Sequence, residues 1–293
     1  NAVDGLVFFE GEGAVEFLGR PVSHSISPLM HNAAFEADGL DYAYLCFDIG
    51  EQELDQAVAG LKVLGARGWN CTMPDKKRMA QLCDTLSLAA SVTGSVNTVV
   101  NENGVLKGYS TDGTGYMMAL KDAGYDIVGG RMTLFGAGGA ALAILAQAAI
   151  DGLESIHVCS RQGRSFDQAV MVADRLNKET DCKVTVIDLA DQNAVRQSID
   201  ESTILTNATS VGMAPNADAC LIPDASWLHR ELIVSDIIYN PRKTKLMAMA
   251  EEAGCPVCGG LYMLLYQGAE AYRLWTGKPM QTELIKERYF SGR

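Results

Sequence analysis

The sequence predicts an α/β protein of two successive units, and three observations carry that expectation. Short apolar runs of strand length alternate with helical patterns along most of the chain, the arrangement of sheets covered by helices. A tight glycine cluster, Gly136-Ala137-Gly138-Gly139-Ala140-Ala141, follows one such strand and opens a helix. The 293 residues also exceed the roughly 100–200 of an ordinary domain.

In the first unit the pattern predicts strands at 15–18, 42–47, 68–72 and 96–100, with helices at 28–37 and 53–64. The polar segment 109–115 begins a further helix. In the second unit strands are expected at 132–135, 155–159, 183–187, 204–207 and 232–236, and helices at 140–150, 166–178 and 193–199. The stretch 132–150 carries no charge for 19 residues, close to the length that spans a bilayer. Its glycines instead divide it into a strand, a turn and a buried helix. The run 261–275 is helical and amphipathic with no strand after it, and is expected to return to the first unit.

Composition narrows the function classes. Lys and Arg number 24 against 36 Asp and Glu, a formal net charge of −12 that repels a phosphate backbone and an anionic membrane surface. Neither nucleic acid nor membrane is expected as a partner. Residues 1–20 are acidic and show no basic segment leading into an apolar one, so no secretory signal is read and a cytoplasmic location is expected. The eight cysteines are scattered among apolar neighbours, as small buried hydrophobes in a reducing compartment would be. Cys255-Pro-Val-Cys258 is the one CxxC. It has no second pair and few histidines to join it, and it does not open a helix, so neither a metal site nor a thioredoxin-like role is expected.

The glycine cluster satisfies a G-x-G-x-x-A fingerprint in the strand-turn-helix context that gives it meaning. Glycine permits close backbone approach, and the helix start offers unpaired N–H groups to a pyrophosphate. The next strand ends in Ser160-Arg161, 25 residues past the first glycine, without the acidic residue of an NAD site. Arg161 suits a 2′-phosphate, or is a solvated loop charge.

Three polar clusters stand in the first unit. His24-Ser25-Ile26-Ser27-Pro28 precedes a helix; Ser27 as N-cap explains one hydroxyl and leaves Ser25 unexplained. Asn70-Cys71-Thr72-Met73-Pro74-Asp75-Lys76 closes an apolar strand, where α/β sheets bind ligands, although Lys76, Lys77 and Arg78 also fit a solvated run. Asn97-Thr98 and Ser110-Thr111-Asp112-Gly113 complete the set, with Asp112 an N-cap candidate.

With these motifs, and with Gly19-Arg20-Pro21, Gly94-Ser95-Val96, Asn207-Ala208-Thr209-Ser210-Val211-Gly212-Met213, Tyr239-Asn240-Pro241 and 260–267, the chain resembles the shikimate dehydrogenase family, including its quinate/shikimate branch, over almost its whole length. The resemblance implies a substrate-binding α/β domain at 1–117 completed by 261–293, a Rossmann-like NADP-binding domain at 118–260, and a cleft between them. It implies NADP-dependent, reversible oxidation of shikimate to 3-dehydroshikimate, on the route to chorismate and the aromatic amino acids. By position, Lys76 and Asp112 are the expected acid-base pair. Ser25 and Ser27 fall at the substrate carboxylate, Thr72, Asn97 and Gln267, with Lys76 and Asp112, at the ring hydroxyls, and Tyr239 near the ring or its carboxylate. Gly136, Ala137, Gly138, Gly139 and Ala140 are expected at the pyrophosphate and Ser160 and Arg161 at the adenosine end. Thr209, Met213, Ile237 and Gly260 are expected on the ribose and nicotinamide side.

Within that pattern Cys71 stands where valine is common, Ser95 for alanine, Ser110 for the asparagine before Thr-Asp, and Ser160 for the asparagine of the cofactor motif. Gly163 stands where the quinate/shikimate branch carries an aspartate for the NAD ribose. The alternatives are a quinate/shikimate dehydrogenase using NAD or NADP, and a non-catalytic sensor of NADP and a cyclohexane carboxylate. Retention of Lys76 and Asp112 disfavours the sensor. No metal is expected, and either a monomer or a homodimer is compatible.

Overall fold

The computed structural model describes residues 13–20 and 25–291. The N-terminal stretch read for a targeting signal lies mostly outside the described residues, as do Pro21, His24 and the last two residues of the expected C-terminal segment.

By compactness the chain forms two units. The first contains β1 (Gly13–Gly19), α1 (Ser27–Ala37), β2 (Tyr42–Asp48), α2 (Leu54–Val63), β3 (Gly68–Cys71), α3 (Lys76–Leu82) and β4 (Thr85–Leu86). The helix α4 (Leu88–Thr93) belongs to the second unit, after which β5 (Thr98–Glu102) and β6 (Val105–Tyr109) return to the first. The second unit continues with α5 (Thr111–Asp122), β7 (Arg131–Phe135), α6 (Gly139–Ile150), β8 (Ser155–Ser160), α7 (Arg164–Glu179), β9 (Lys183–Asp188), α8 (Gln192–Asp200), β10 (Ile204–Asn207), β11 (Ile233–Asp236), α9 (Lys245–Glu252) and β12 (Val257–Gly259). The division then falls inside α10 (Leu261–Thr276), whose residues from Gly268 onward, with α11 (Thr282–Ile285), belong to the first unit. The boundary read after residue 117 would cut α5, yet contacts assign the whole helix to the second unit. Its glycines let it lie against α6, where a Cβ on Gly113 would come 2.1 Å from the Ala143 carbonyl oxygen.

The first sheet runs β2-β1-β3-β5-β6-β4. It is mixed, because β5 meets both β3 and β6 antiparallel while β1 pairs parallel with β2 and β3. Asn103 (φ 54°) and Gly104 (φ 89°) make the two-residue turn between β5 and β6, the Asn-Gly hairpin that positive φ at both positions demands. Behind the sheet sits an aromatic cluster. His31 stacks on Tyr44 with centroids 4.5 Å apart, and Phe35, Tyr272 and Trp275 surround it. The Trp275 indole donates to the Val99 carbonyl at 2.9 Å, which fastens the C-terminal helix to this sheet.

The second sheet runs β12-β11-β10-β7-β8-β9 and is parallel throughout. Helices cover both faces: Met132, Leu134, Ile156 and Val158 pack on one side with α5, α6 and α7, and Phe135, Cys159, Leu205 and Val234 pack on the other with α8 and α9. The uncharged stretch at 132–150 is thereby explained, because α6 is buried on nearly all sides. Among the described residues no helix is long and apolar enough to cross a membrane.

His31 is fully buried and neither ring nitrogen has a hydrogen-bond partner. Burial lowers its pKa to about 3 from 6.5. The unfolded imidazole therefore takes up a proton that the folded one refuses, so stability is full above pH 6.5 and falls as pH drops toward 3. Between pH 7 and 4.5 this group removes about 3 kcal/mol. Urea unfolding of His31→Leu should show a flatter acid limb by that amount, and parallel pH profiles for variant and parent would refute it.

Candidate functional site

The first unit gathers five expected site residues at the carboxyl ends of β1 and β3 and the start of α1. Ser27 is not an N-cap: the cap position is Ile26, and Ser27 is the first helical residue with Pro28 beside it. The Ser25 hydroxyl accepts from the Ser27 N–H at 3.2 Å. Ser27 in turn hydrogen-bonds the buried Tyr44 hydroxyl. Tyr44 donates to Asn70 Oδ1 at 2.7 Å, and Asn70 Nδ2 donates to the Asn97 carbonyl at 3.1 Å and to Thr98 Oγ1 at 2.9 Å. A chain of buried polar groups thus joins Ser25 and Ser27 to Asn97.

Thr72 and Lys76 follow from the same strand end. The Thr72 N–H donates to the Leu18 carbonyl at 3.0 Å, and the Lys76 carbonyl accepts from Val96 at 3.0 Å, so the first turn of α3 is tied to the segment carrying Asn97. Lys76 opens α3 and is half-buried, which a solvated run would not require. Asp75 beside it is fully buried with neither carboxylate oxygen hydrogen-bonded, and burial, then Glu51 and Glu53, pushes its carboxyl up. Asn70 and Thr98 lie in the polar clusters of the sequence without an assigned role, and Tyr44 lies outside them. Tyr44 carries no motif signal at all; its position follows only from pairing β2 with β1.

In the second unit Asp112 lies in the first turn of α5, where Ser110, not Asp112, occupies the cap position. Gly115, one turn on, lets Gln267 approach: a Cβ there would stand 2.4 Å from the Gln267 backbone nitrogen. The helix of Asp112 and the residue Gln267 are thus brought together. Tyr239 is exposed on the segment after β11. The expected cofactor residues separate into two groups. Gly136, Ala137, Gly138, Ser160, Arg161 and Thr209 line one groove of about 690 Å³, together with Gln162, Gly163 and Arg164. Gly139 and Ala140 begin α6, while Ile237 and Gly260 touch each other beyond the sheet end and Met213 stands exposed; none of these five lines the groove.

The groove sits where the strand order reverses. From β7 the chain proceeds to β8 and β9 on one side and returns to β10 on the other, so the loops after β7 and β10 part at a crevice over the carboxyl ends of the strands. Gly136 has φ 112°, and a Cβ on it would be 2.8 Å from the Ala208 carbonyl oxygen, whereas Cβ atoms on Gly138 and Gly139 would meet nothing within 4 Å. The loop is thus narrow at its base and open at its mouth, with the N-terminus of α6 behind it. Arg161 and Arg164 stand in the lining with no acidic residue among the described wall. A phosphate-bearing dinucleotide fits this donor set.

The order of the second sheet, with a glycine loop at its switch point, defines a Rossmann-type dinucleotide-binding α/β protein that carries a second α/β unit. The comparisons specify the family. The family model described as the shikimate dehydrogenase substrate binding domain matches residues 17–99, and that described as the shikimate 5'-dehydrogenase C-terminal domain matches 260–288. A shikimate dehydrogenase (NADP(+)) of Listeria monocytogenes is 49% identical over 281 residues, 95% of this chain and 97% of its own. The crystal structure of shikimate 5-dehydrogenase from Listeria monocytogenes in complex with shikimate and NAD superposes with a TM-score of 0.91 at 48% identity, covering 94% of this chain and 95% of that one. Quinate dehydrogenase from Corynebacterium glutamicum in complex with NAD superposes with a TM-score of 0.82 at 26% identity over 94% and 97%. This chain belongs to the shikimate dehydrogenase family.

Gly136→Ala should introduce strain of about 1–3 kcal/mol at a positive φ and press a methyl on the Ala208 carbonyl. We expect a weaker dinucleotide complex in fluorescence titration, by tenfold or more, with the far-ultraviolet circular dichroism unchanged. An unaltered affinity would show that the loop does not contact the ligand.

Proposed function

We propose that this protein oxidises shikimate reversibly to 3-dehydroshikimate with NADP, supplying the route to chorismate and aromatic amino acids. The observation that carries the reading is the pairing of a donor-lined nucleotide groove in one unit with the connected Ser25, Ser27, Thr72, Lys76 and Asn97 set in the other, in a chain 49% identical to a shikimate dehydrogenase (NADP(+)).

The chemistry assigns work to each group. Ser25 and Ser27 offer hydroxyl donors to the substrate carboxylate at the start of α1, where the helix dipole adds to the attraction. Thr72, Asn97, Gln267 and Tyr239 hold the ring and its hydroxyls. The groove of Gly136–Gly138, Arg161 and Thr209 would hold NADP, which when bound would supply the hydride acceptor for the carbinol carbon. As that C–H bond breaks, the hydroxyl proton passes to the Lys76–Asp112 pair, leaving the ketone; in the reverse direction the pair returns the proton. Nothing in this set calls for a metal.

Lys76→Ala should lower kcat by a factor of about 10² to 10⁴ with a much smaller change in KM, and Asp112→Asn should move the same way. Steady-state rates with shikimate check this; a change confined to KM would make Lys76 a binding residue and leave the proton without its acceptor.

Cofactor choice follows from the groove wall. Arg161 and Arg164 can give charge-assisted hydrogen bonds to a 2′-phosphate, and Gly163 (φ 132°) supplies no carboxylate to a ribose hydroxyl. A hydrogen bond to a charged group contributes about 1.5–3 kcal/mol. Arg161→Ala should therefore cost roughly 10- to 100-fold in kcat/KM with NADP and much less with NAD. Equal losses with both would mean that Arg161 stacks on the adenine. The similarity to a quinate dehydrogenase bound to NAD supports a second reading, slower quinate oxidation by the same site, and the same rate panel with quinate decides it.

A further inference from the structure

The wall of the nucleotide groove is set by a residue that does not line it. Asp236 ends β11, opposite Asn207 at the end of β10, and is fully buried. Its carboxylate accepts three hydrogen bonds: Oδ1 from the Ile238 N–H at 3.0 Å, and Oδ2 from Asn207 Nδ2 at 3.1 Å and the Thr244 hydroxyl at 2.8 Å. Burial raises the Asp236 pKa while the three donors favour its charged form; with all three aimed at it the carboxyl group serves as acceptor, and so dictates which way the Asn207 amide faces. With Nδ2 turned to Asp236 and to the Val211 carbonyl, Asn207 Oδ1 is left to receive the Thr209 N–H at 3.0 Å and the Thr209 hydroxyl at 2.7 Å. The Thr209 Oγ1 then accepts from the Val211 N–H at 3.1 Å. Thr209, Ser210 and Val211 are groove wall.

We infer that Asp236 is a positioning residue for the dinucleotide: by fixing the Asn207 amide and anchoring Thr244, it presets the Thr209–Val211 wall before the ligand arrives. The inference rests on the reading of the groove as the NADP site. If the Asn207 amide turned over, its oxygen would face the carboxylate and its NH₂ group would face the Thr209 N–H, two repulsive pairs in a buried place. The carboxylate therefore acts through an orientation and need not touch the ligand. Thr244 is the second anchor of the same clasp; its hydroxyl also accepts from the Met247 N–H at the start of α9, which ties the loop after β11 to that helix.

Equilibrium titration of the full-length protein with NADP, without shikimate, tests this by a readout independent of turnover. Asp236→Asn keeps the shape and places a donor against existing donors; the Kd for NADP should rise tenfold or more, while KM for shikimate stays within twofold. Thr244→Val should raise the Kd in the same direction and Thr244→Ser, which keeps the hydroxyl, should restore it, so the pair carries the test even if Asp236→Asn does not fold. NADP binding by the parent protein with the same Kd in these variants overturns the inference while leaving the groove as the cofactor site, even if their melting temperatures fall. Equal weakening of NADP and shikimate overturns it as well, since that is general loosening. No NADP binding by the parent protein overturns the reading of the groove and this inference with it.

Discussion

The second unit depends on one close contact, the backbone of α5 against the backbone of α6 at Gly113. With a Cβ-to-oxygen separation of 2.1 Å for any side chain added there, only glycine permits the approach. The contact matters because α5 carries Asp112 in its first turn and α6 opens directly from the glycine loop of the groove. Two further attachments fix α5 about its own axis. The Tyr116 hydroxyl and Thr206 Oγ1 on β10 share a hydrogen bond of 2.6 Å, and Gly115 admits α10 at Gln267. A helix held on three sides is fixed about its axis, which sets the position of the first turn that carries Asp112.

The first unit solves a different problem, which is how to keep polar side chains buried at the ends of strands. An unpaired buried amide or hydroxyl costs about 1–3 kcal/mol, while a satisfied one contributes modestly. Tyr44, Asn70, Thr98 and the Asn97 backbone answer one another's hydrogen bonds, so the network is satisfied where Ser27 and Asn97, the groups proposed to meet substrate, attach to it. Hydrogen bonding of this kind locks rotamers in advance of binding. His31, by contrast, stays neutral in an aromatic cage that binds α1 to the C-terminal helix, and serves the fold without entering the chemistry.

Much of this was legible in the sequence, for identifiable reasons. Strands of a parallel sheet covered on both faces are apolar runs, and five of the six strands of the second sheet were read to within a residue or two at each end. The glycine fingerprint was legible because tight turns leave few residue choices. Harder to read were α3, α4, β4, α9 and β12, which are too short for hydrophobic periodicity to register, and β6, whose apolar run is broken by Lys107 and Gly108. The β5–β6 hairpin did carry a signal, Asn103-Gly104, which makes the first sheet mixed. The capping roles considered for Ser27 and Asp112 failed for a local reason: each helix begins one or two residues earlier than the apolar pattern does, so both residues sit inside the first turn. The buried partners Tyr44 and Asp236 left no trace in spacing, because what gives them a role is a strand neighbour distant in sequence.

Charge raises a last point of physics. The chain carries a net −12, yet the ligands proposed for it, a dinucleotide phosphate and a ring carboxylate, are both anionic. Long-range attraction cannot gather them. At physiological ionic strength the Debye length is about 8 Å, so exposed carboxylates beyond that distance repel little, and donors within hydrogen-bond range decide the outcome. The groove meets this condition by segregation: its wall carries Arg161 and Arg164 and the open N–H end of α6, and no carboxylate, in a chain where acidic residues outnumber basic ones by half. In the first unit the set proposed for the substrate is built the same way, from hydroxyls, an amide and Lys76, while Asp75, the nearest acid in sequence, is held out of solvent where burial favours its neutral form. Recognition of the proposed ligands would therefore be short-ranged in both units, and affinity would depend on the placement of a few donors and hence on the buried residues that place them.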